Sequence, residues 1–75
     1  MKYITLTNNT ISGCFHQIEK ELGKSISYFI VLSEPVSLMG NHKVFTLKER
    51  NSNNYVKVEG DEFIIDSIYN DITKR

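Results

Sequence analysis

The chain has 75 residues, with nine Lys and Arg against nine Asp and Glu, one Cys and eight aromatic residues. One domain of this size buries only ~60% of its unfolded surface, and per-residue scaling gives it roughly 4–11 kcal/mol of stability. The zero net charge removes the markedly basic character of a typical nucleic-acid binder, and so short a chain leaves little room for a scaffold plus a preorganised catalytic pocket.

In chain order, Lys2-Tyr3-Ile4-Thr5-Leu6-Thr7 alternates polar and apolar residues and predicts a first strand. Asn8-Asn9-Thr10 follows with turn and N-cap chemistry. Ile11, Phe15, Ile18 and Leu22 then recur at gaps of four, three and four. That stripe predicts an amphipathic helix with Cys14 beside it, weakened slightly by Gly13 and stopped by Gly23. Within Ser25–Ser33, the continuous apolar run Tyr28-Phe29-Ile30-Val31-Leu32 predicts a strand covered on both faces, hence a central one, with Phe15 and Ile18 packed against it. Left on an edge, such a run would template aggregation. Glu34-Pro35 ends it, residues 36–39 are ambiguous, and Gly40-Asn41 marks a turn.

Two alternating runs, residues 43–50 and 55–59, flank the Asn-rich loop Asn51–Asn54 and predict a β-hairpin. Phe45, Leu47, Val56 and Val58 form its buried set. Thr46, Lys48, Arg50, Tyr55, Lys57 and Glu59 fall on the opposite, solvated face. In the last segment Ile64, Ile65, Ile68, Tyr69 and Ile72 share one sector of a helical wheel, with Asp61 and Glu62 at its start and Lys74 and Arg75 at its end. A helix from about residue 61 or 66 is the favoured reading. A strand over residues 62–66 closing a small SH3-like barrel is the rival. The fold class expected is therefore α+β, a single domain of order β-α-β-β-β-α, with an antiparallel or mixed sheet packed by one or two helices. The alternative is an N-terminal helix plus the small barrel.

Chemistry is sparsely signalled. Cys14 and His16 lie two apart on a helix and point to different faces, and His42 is remote, so no zinc spacing arises. Cys14 reads as a small buried hydrophobe and His16 as a solvated side chain. The acidic residues Asp61, Glu62, Asp66 and Asp71 read as helix surface, and Asp66 with Asn70 makes at most a weak hard-cation pair. No phosphate loop or Gly-x-Ser-x-Gly elbow is present. The chain is read as non-enzymatic, with no cofactor and no metal. A lone cysteine cannot form an internal disulfide, and no apolar run reaches membrane-spanning length, so a cytoplasmic location is expected.

The surface expected to act is the polar face of the hairpin. Tyr55 and Arg50 would lie side by side across the loop as binding anchors, with Lys48 and Lys57 at the rim. An ordinary solvated sheet face is the bland alternative. A protein partner is expected there, or a second copy joined through a sheet edge, with nucleic acid ranking second on the basic-plus-aromatic pattern of the same face. There is no Ala, while nine Ile, seven Lys, seven Asn and seven Ser are present, a composition like that of AT-rich genomes such as low-GC bacteria and their phages. In size and composition the chain is similar to phage-encoded accessory proteins that bind host factors, which implies an inhibitor or regulator.

Overall fold

A computed structural model describes residues 1–74. The elements are β1 (Lys2–Thr5), α1 (Ile11–Leu22), a 3-10 turn (Ile26–Tyr28), β2 (Phe29–Val31), β3 (Val36–Ser37), β4 (His42–Glu49), β5 (Tyr55–Asp61) and α2 (Glu62–Thr73). The strands make one mixed sheet in the order β1-β5-β4-β2, with β3 pairing β4 beyond β2. β1 runs parallel to β5, and every other pairing is antiparallel. This is the α+β architecture expected from the sequence; the last segment is a helix from its first turn, and among the described residues no barrel closes.

Local chemistry explains each boundary. The Thr10 hydroxyl accepts from the Gly13 amide at 3.0 Å and donates to the Asn8 side-chain oxygen, capping α1. Gly23 takes the left-handed conformation, φ 70°, that a C-terminal stop requires. Asp61 caps α2, its carboxylate accepting from the Phe63 and Ile64 amides at 2.9 and 3.4 Å. The same residue closes β5, so strand passes to helix without a loop. Arg75, counted in the sequence among the basic residues ending α2, lies outside the described residues.

One core lies between the sheet and both helices. Ile4 and Leu6 of the first strand segment, Phe29, Phe45, Leu47, Val56 and Val58 meet Cys14 and Ile18 of α1 and Ile65 and Ile68 of α2. Tyr69 adds an edge-to-face contact on Phe45, with centroids 6.5 Å apart. The hairpin's buried set is the expected one. On α1 the face is rotated: Cys14 and Ile18 are fully buried, Phe15 and Leu22 are partly so, and Ile11 is exposed. Gly60 opposes Lys43 on the core side of the sheet, where a Cβ would fall 3.1 Å from Leu6, so the glycine makes room for that leucine.

The segment Ser25–Leu32 departs most from expectation. Ser25 and the Glu19 carboxylate hold the Ser27 and Ile26 amides, at 3.3 and 2.7 Å, and fold residues 26–28 into a 3-10 turn. Only three residues remain as strand, and β2 sits at the edge of the sheet, not at its centre. The hairpin takes the central places because its two strands, eight and seven residues long, offer the longest ladder. Ser33-Glu34-Pro35 bulges out before β3 resumes the pairing with β4, and that break blunts the edge.

Candidate functional site

Side chains alternate across a sheet, so strand register assigns each residue to the helix-covered face or to the other one. With Phe45, Leu47, Val56, Val58 and Ile4 inward, the outward set on β4 is His42, Val44, Thr46 and Lys48, and on β5 it is Tyr55, Lys57, Glu59 and Asp61. Tyr3 and Thr5 join them from β1, opposite Lys57 and Glu59. On the far edge Ile30 stands opposite Lys48, Leu32 opposite Thr46, Val36 opposite Val44 and Leu38 opposite His42. Both helices lie on the core side, and among the described residues nothing covers this second face.

The bare face has three zones. Along the β2–β3 edge runs an aliphatic stripe of Ile30, Leu32, Val36 and Leu38, widened by Val44; Leu32, Val36 and Leu38 are 47%, 58% and 37% exposed. At the end nearer the hairpin loop are two lysines, Lys48 and Lys57, beside Tyr55, and neither lysine makes an ion pair among the described residues. At the other end is an acidic zone. There the Glu59 carboxylate accepts the Tyr3 hydroxyl on one oxygen and meets His42 Nδ1 at 3.2 Å with the other. The Tyr3 bond, reinforced by His42, holds Glu59 below the usual carboxylate range, and the same bond raises the Tyr3 hydroxyl. Glu59 is thus a fixed anion in the middle of the sheet.

Of the residues singled out from the sequence, Lys48, Tyr55 and Lys57 share this face, with Lys48 and Tyr55 directly paired across the strands. Arg50 does not join them. It lies in the turn after β4, where its amide donates to the Tyr28 carbonyl and its Nε donates to the Ser27 carbonyl at 3.1 Å. The guanidinium ties the hairpin to the 3-10 turn and lines a small hollow with Ile26, Phe29 and Ile72 on the helix side. The side-by-side Arg50–Tyr55 pair expected from the loop is therefore not formed. A run alternating through residue 50 predicts an outward Arg50, but the strand ends at Glu49 and the turn re-aims the side chain.

The aliphatic stripe was not singled out in the sequence as a surface, although its signal is there. Residues 28–32 are apolar at every position, the pattern of a strand buried on both sides. Phe29 and Val31 satisfy one side against the core, while Ile30 and Leu32 look the other way. Val36 and Leu38, in the stretch left ambiguous by the sequence, extend that second side.

Other polar groups are already engaged. Lys43 reaches across to Asp66 of α2 at 3.0 Å, and Lys24 pairs with Glu49, whose carboxyl is lowered chiefly by that bond and then by Asn54. Cys14 is fully buried, its Sγ–H donating to the Asn8 carbonyl at 3.4 Å, and burial pushes the thiol up. His16 is exposed on the opposite side of α1, so the two do not meet. Two open clefts of about 380 and 400 Å³ lie at the ends of the sheet. The first is crossed by the Lys24–Glu49 pair; the second holds His42 and Asp61, but Asp61 is already occupied in capping α2. Among the described residues no three His, Cys, Asp or Glu side chains converge as metal ligands, and no helix is long and apolar enough to cross a membrane. No family model, curated protein or solved structure matches the chain.

Proposed function

We propose that the protein is a non-enzymatic binding module that docks other proteins on the bare face of its sheet and regulates or inhibits them by occupying their surface. One observation carries the reading: the run through β2 has the composition of a strand buried on both sides, yet on its outer side Ile30 is only half-buried and its continuation, Leu32, Val36 and Leu38, is exposed. Single exposed aliphatic residues are ordinary, but a contiguous stripe rimmed by polar residues is a feature of interaction surfaces. Tyr55, Lys48 and Lys57 are assigned to the rim of this surface, where Tyr supplies contact area and Lys steers association. Arg50 is reassigned to holding the hairpin turn. Docking on the face, not strand addition, is the mode favoured, because Pro35 and the bulge interrupt the nearby edge. A nucleic-acid partner has only Lys48, Lys57 and Tyr55 in its favour, while Glu59 and Asp61 on the same face repel phosphate. A reducing, cytoplasmic setting is proposed from the single buried thiol of Cys14.

The test is affinity capture from a lysate of the source cell, read by quantitative mass spectrometry, with wild type and Val36→Asp. Val36 touches solvent, so the variant keeps its melting temperature within a few degrees and loses the specific partner. Identical captured sets from both proteins would refute the docking face.

A further inference from the structure

We infer that the bare face also binds a second copy of the same chain, in a face-to-face dimer with a two-fold axis running across the strands. The inference rests on the docking reading above and names one occupant for the surface. Its warrant is how the zones are laid out. Along the strands the face has four levels: Leu38 with His42 and Asp61; Val36 with Val44 and Glu59; Leu32 with Thr46 and Lys57; and Ile30 with Lys48 and Tyr55. The two acids occupy the first two levels and the two lysines the last two. Turned end for end, the lysine of the third level on β5 meets the acid of the second level on the same strand, while Asp61 meets Tyr55 and Lys48 meets His42.

A two-fold axis lying across the strands, between the second and third levels, performs that turn. It leaves the β2–β3 edge over the same edge of the other copy, so the aliphatic stripe packs on itself, Val36 against Leu32 and Leu38 against Ile30. It also sets Lys57 over Glu59 in both directions, giving two symmetry-related ion pairs to carboxylates that Tyr3 and His42 already hold ionised and in place. A two-fold axis along the strands does neither: it lays the stripe over Tyr3 and Thr5 and brings Glu59 onto Val44. Sheets pack about 10 Å apart face to face, a gap that a lysine and a glutamate span together. At ~4.8 Å per strand and ~3.3 Å per residue the face outlines roughly 450 Å² in plan on each copy, the size of a small, transient interface rather than an obligate one.

The test is sedimentation velocity of the full chain from about 5 to 500 µM in low salt, where interfacial ion pairs are least screened. Wild type is expected to pass from monomer to dimer over that range. Lys57→Glu and Glu59→Lys each place like charges across the axis, so each variant associates about tenfold or more weakly, judged against circular dichroism spectra that report an intact fold. Mixing the two variants restores both pairs, because a chain with acids at both positions then faces a chain with lysines at both, and the mixture dimerises as wild type does. Val36→Asp, which tests the stripe without touching the charges, abolishes association. A wild type that stays monomeric at the highest concentration overturns the dimer but leaves the docking face to be judged by the capture experiment. A dimer indifferent to Lys57→Glu and Val36→Asp overturns this geometry, as does a mixture that fails to recover association.

Discussion

Gly13→Ala is the substitution in which helix propensity and the folded structure disagree most sharply. Inside a helix, Ala for Gly is worth roughly 0.5–1 kcal/mol, mainly by removing backbone freedom from the unfolded chain. At Gly13, however, the added Cβ would lie 2.3 Å from Oδ1, 2.4 Å from Cγ and 2.6 Å from Nδ2 of Asn8. No real Cβ contact is that short, so the Asn8 amide must swing away. It then gives up its bonds from the Thr10 amide at 3.2 Å and the Thr10 hydroxyl at 3.1 Å, which orient the cap of α1. Two exposed bonds at the low end of the usual range amount to roughly 1–2 kcal/mol, which cancels or exceeds the propensity gain. Gly13→Ala in the wild-type background is therefore expected to be neutral or to destabilise by up to about 1.5 kcal/mol. In an Asn8→Ala background nothing stands in the way, and the same change stabilises by about 0.5–1 kcal/mol, a shift of several degrees in Tm for a domain of this size. The coupling, roughly 1–2 kcal/mol, is read from urea titrations of the four proteins followed by circular dichroism. Equal stabilisation by Gly13→Ala in both backgrounds would refute the role given to Asn8.

Ile18→Ala empties a fully buried site and should cost about 3 kcal/mol or more in the same titrations, whereas Phe15→Ala, only partly buried, should fall below the roughly 3–5 kcal/mol of a fully buried Phe. The Gln17 side chain donates to the Thr5 carbonyl at 2.9 Å and accepts from the Thr7 amide at 3.1 Å, standing in for a neighbouring strand at the β1 edge; Gln17→Leu should unblock that edge and raise light scattering on heating, and an unchanged scattering profile would show the edge is guarded otherwise. Because Glu59 and Glu49 are held below the usual carboxylate range, they contribute stability that is present above that range and lost as pH falls through their lowered values. Urea midpoints followed from neutral pH down through the carboxylate range should accordingly drop less steeply for Glu59→Gln than for wild type, and parallel curves would contradict the assignment. Cys14, buried and with its thiol raised, should resist an aromatic disulfide reagent in the native protein and react at the rate of chain opening; immediate reaction would place the thiol outside the core.

What could be read from the chain alone was whatever is decided within a few residues. The Thr10 cap, the Gly23 stop, the alternation that puts Phe45, Leu47, Val56 and Val58 on one side, and the helical sector of Ile65 and Ile68 are local patterns. Their energetics depend on neighbours at fixed spacing, so the α+β class and the membership of the hairpin core followed from them. Strand order does not work that way. Whether residues 29–31 lie at the centre or the margin of the sheet depends on which partner offers the longest ladder, a comparison between segments far apart in sequence. The bare face of the sheet fell in the same gap. Lys48, Tyr55 and Lys57 could be assigned to one face by counting in twos, but Arg50 left that face once the turn began, and the stripe of Ile30, Leu32, Val36 and Leu38 exists only because β2 and β3 fall in line along β4. The apolar run at residues 28–32 announced that two sides would be covered. Tertiary structure decided that the helices reach only one of them, because both pack on the face that β1, β4 and β5 had already made apolar, and the other side was left bare.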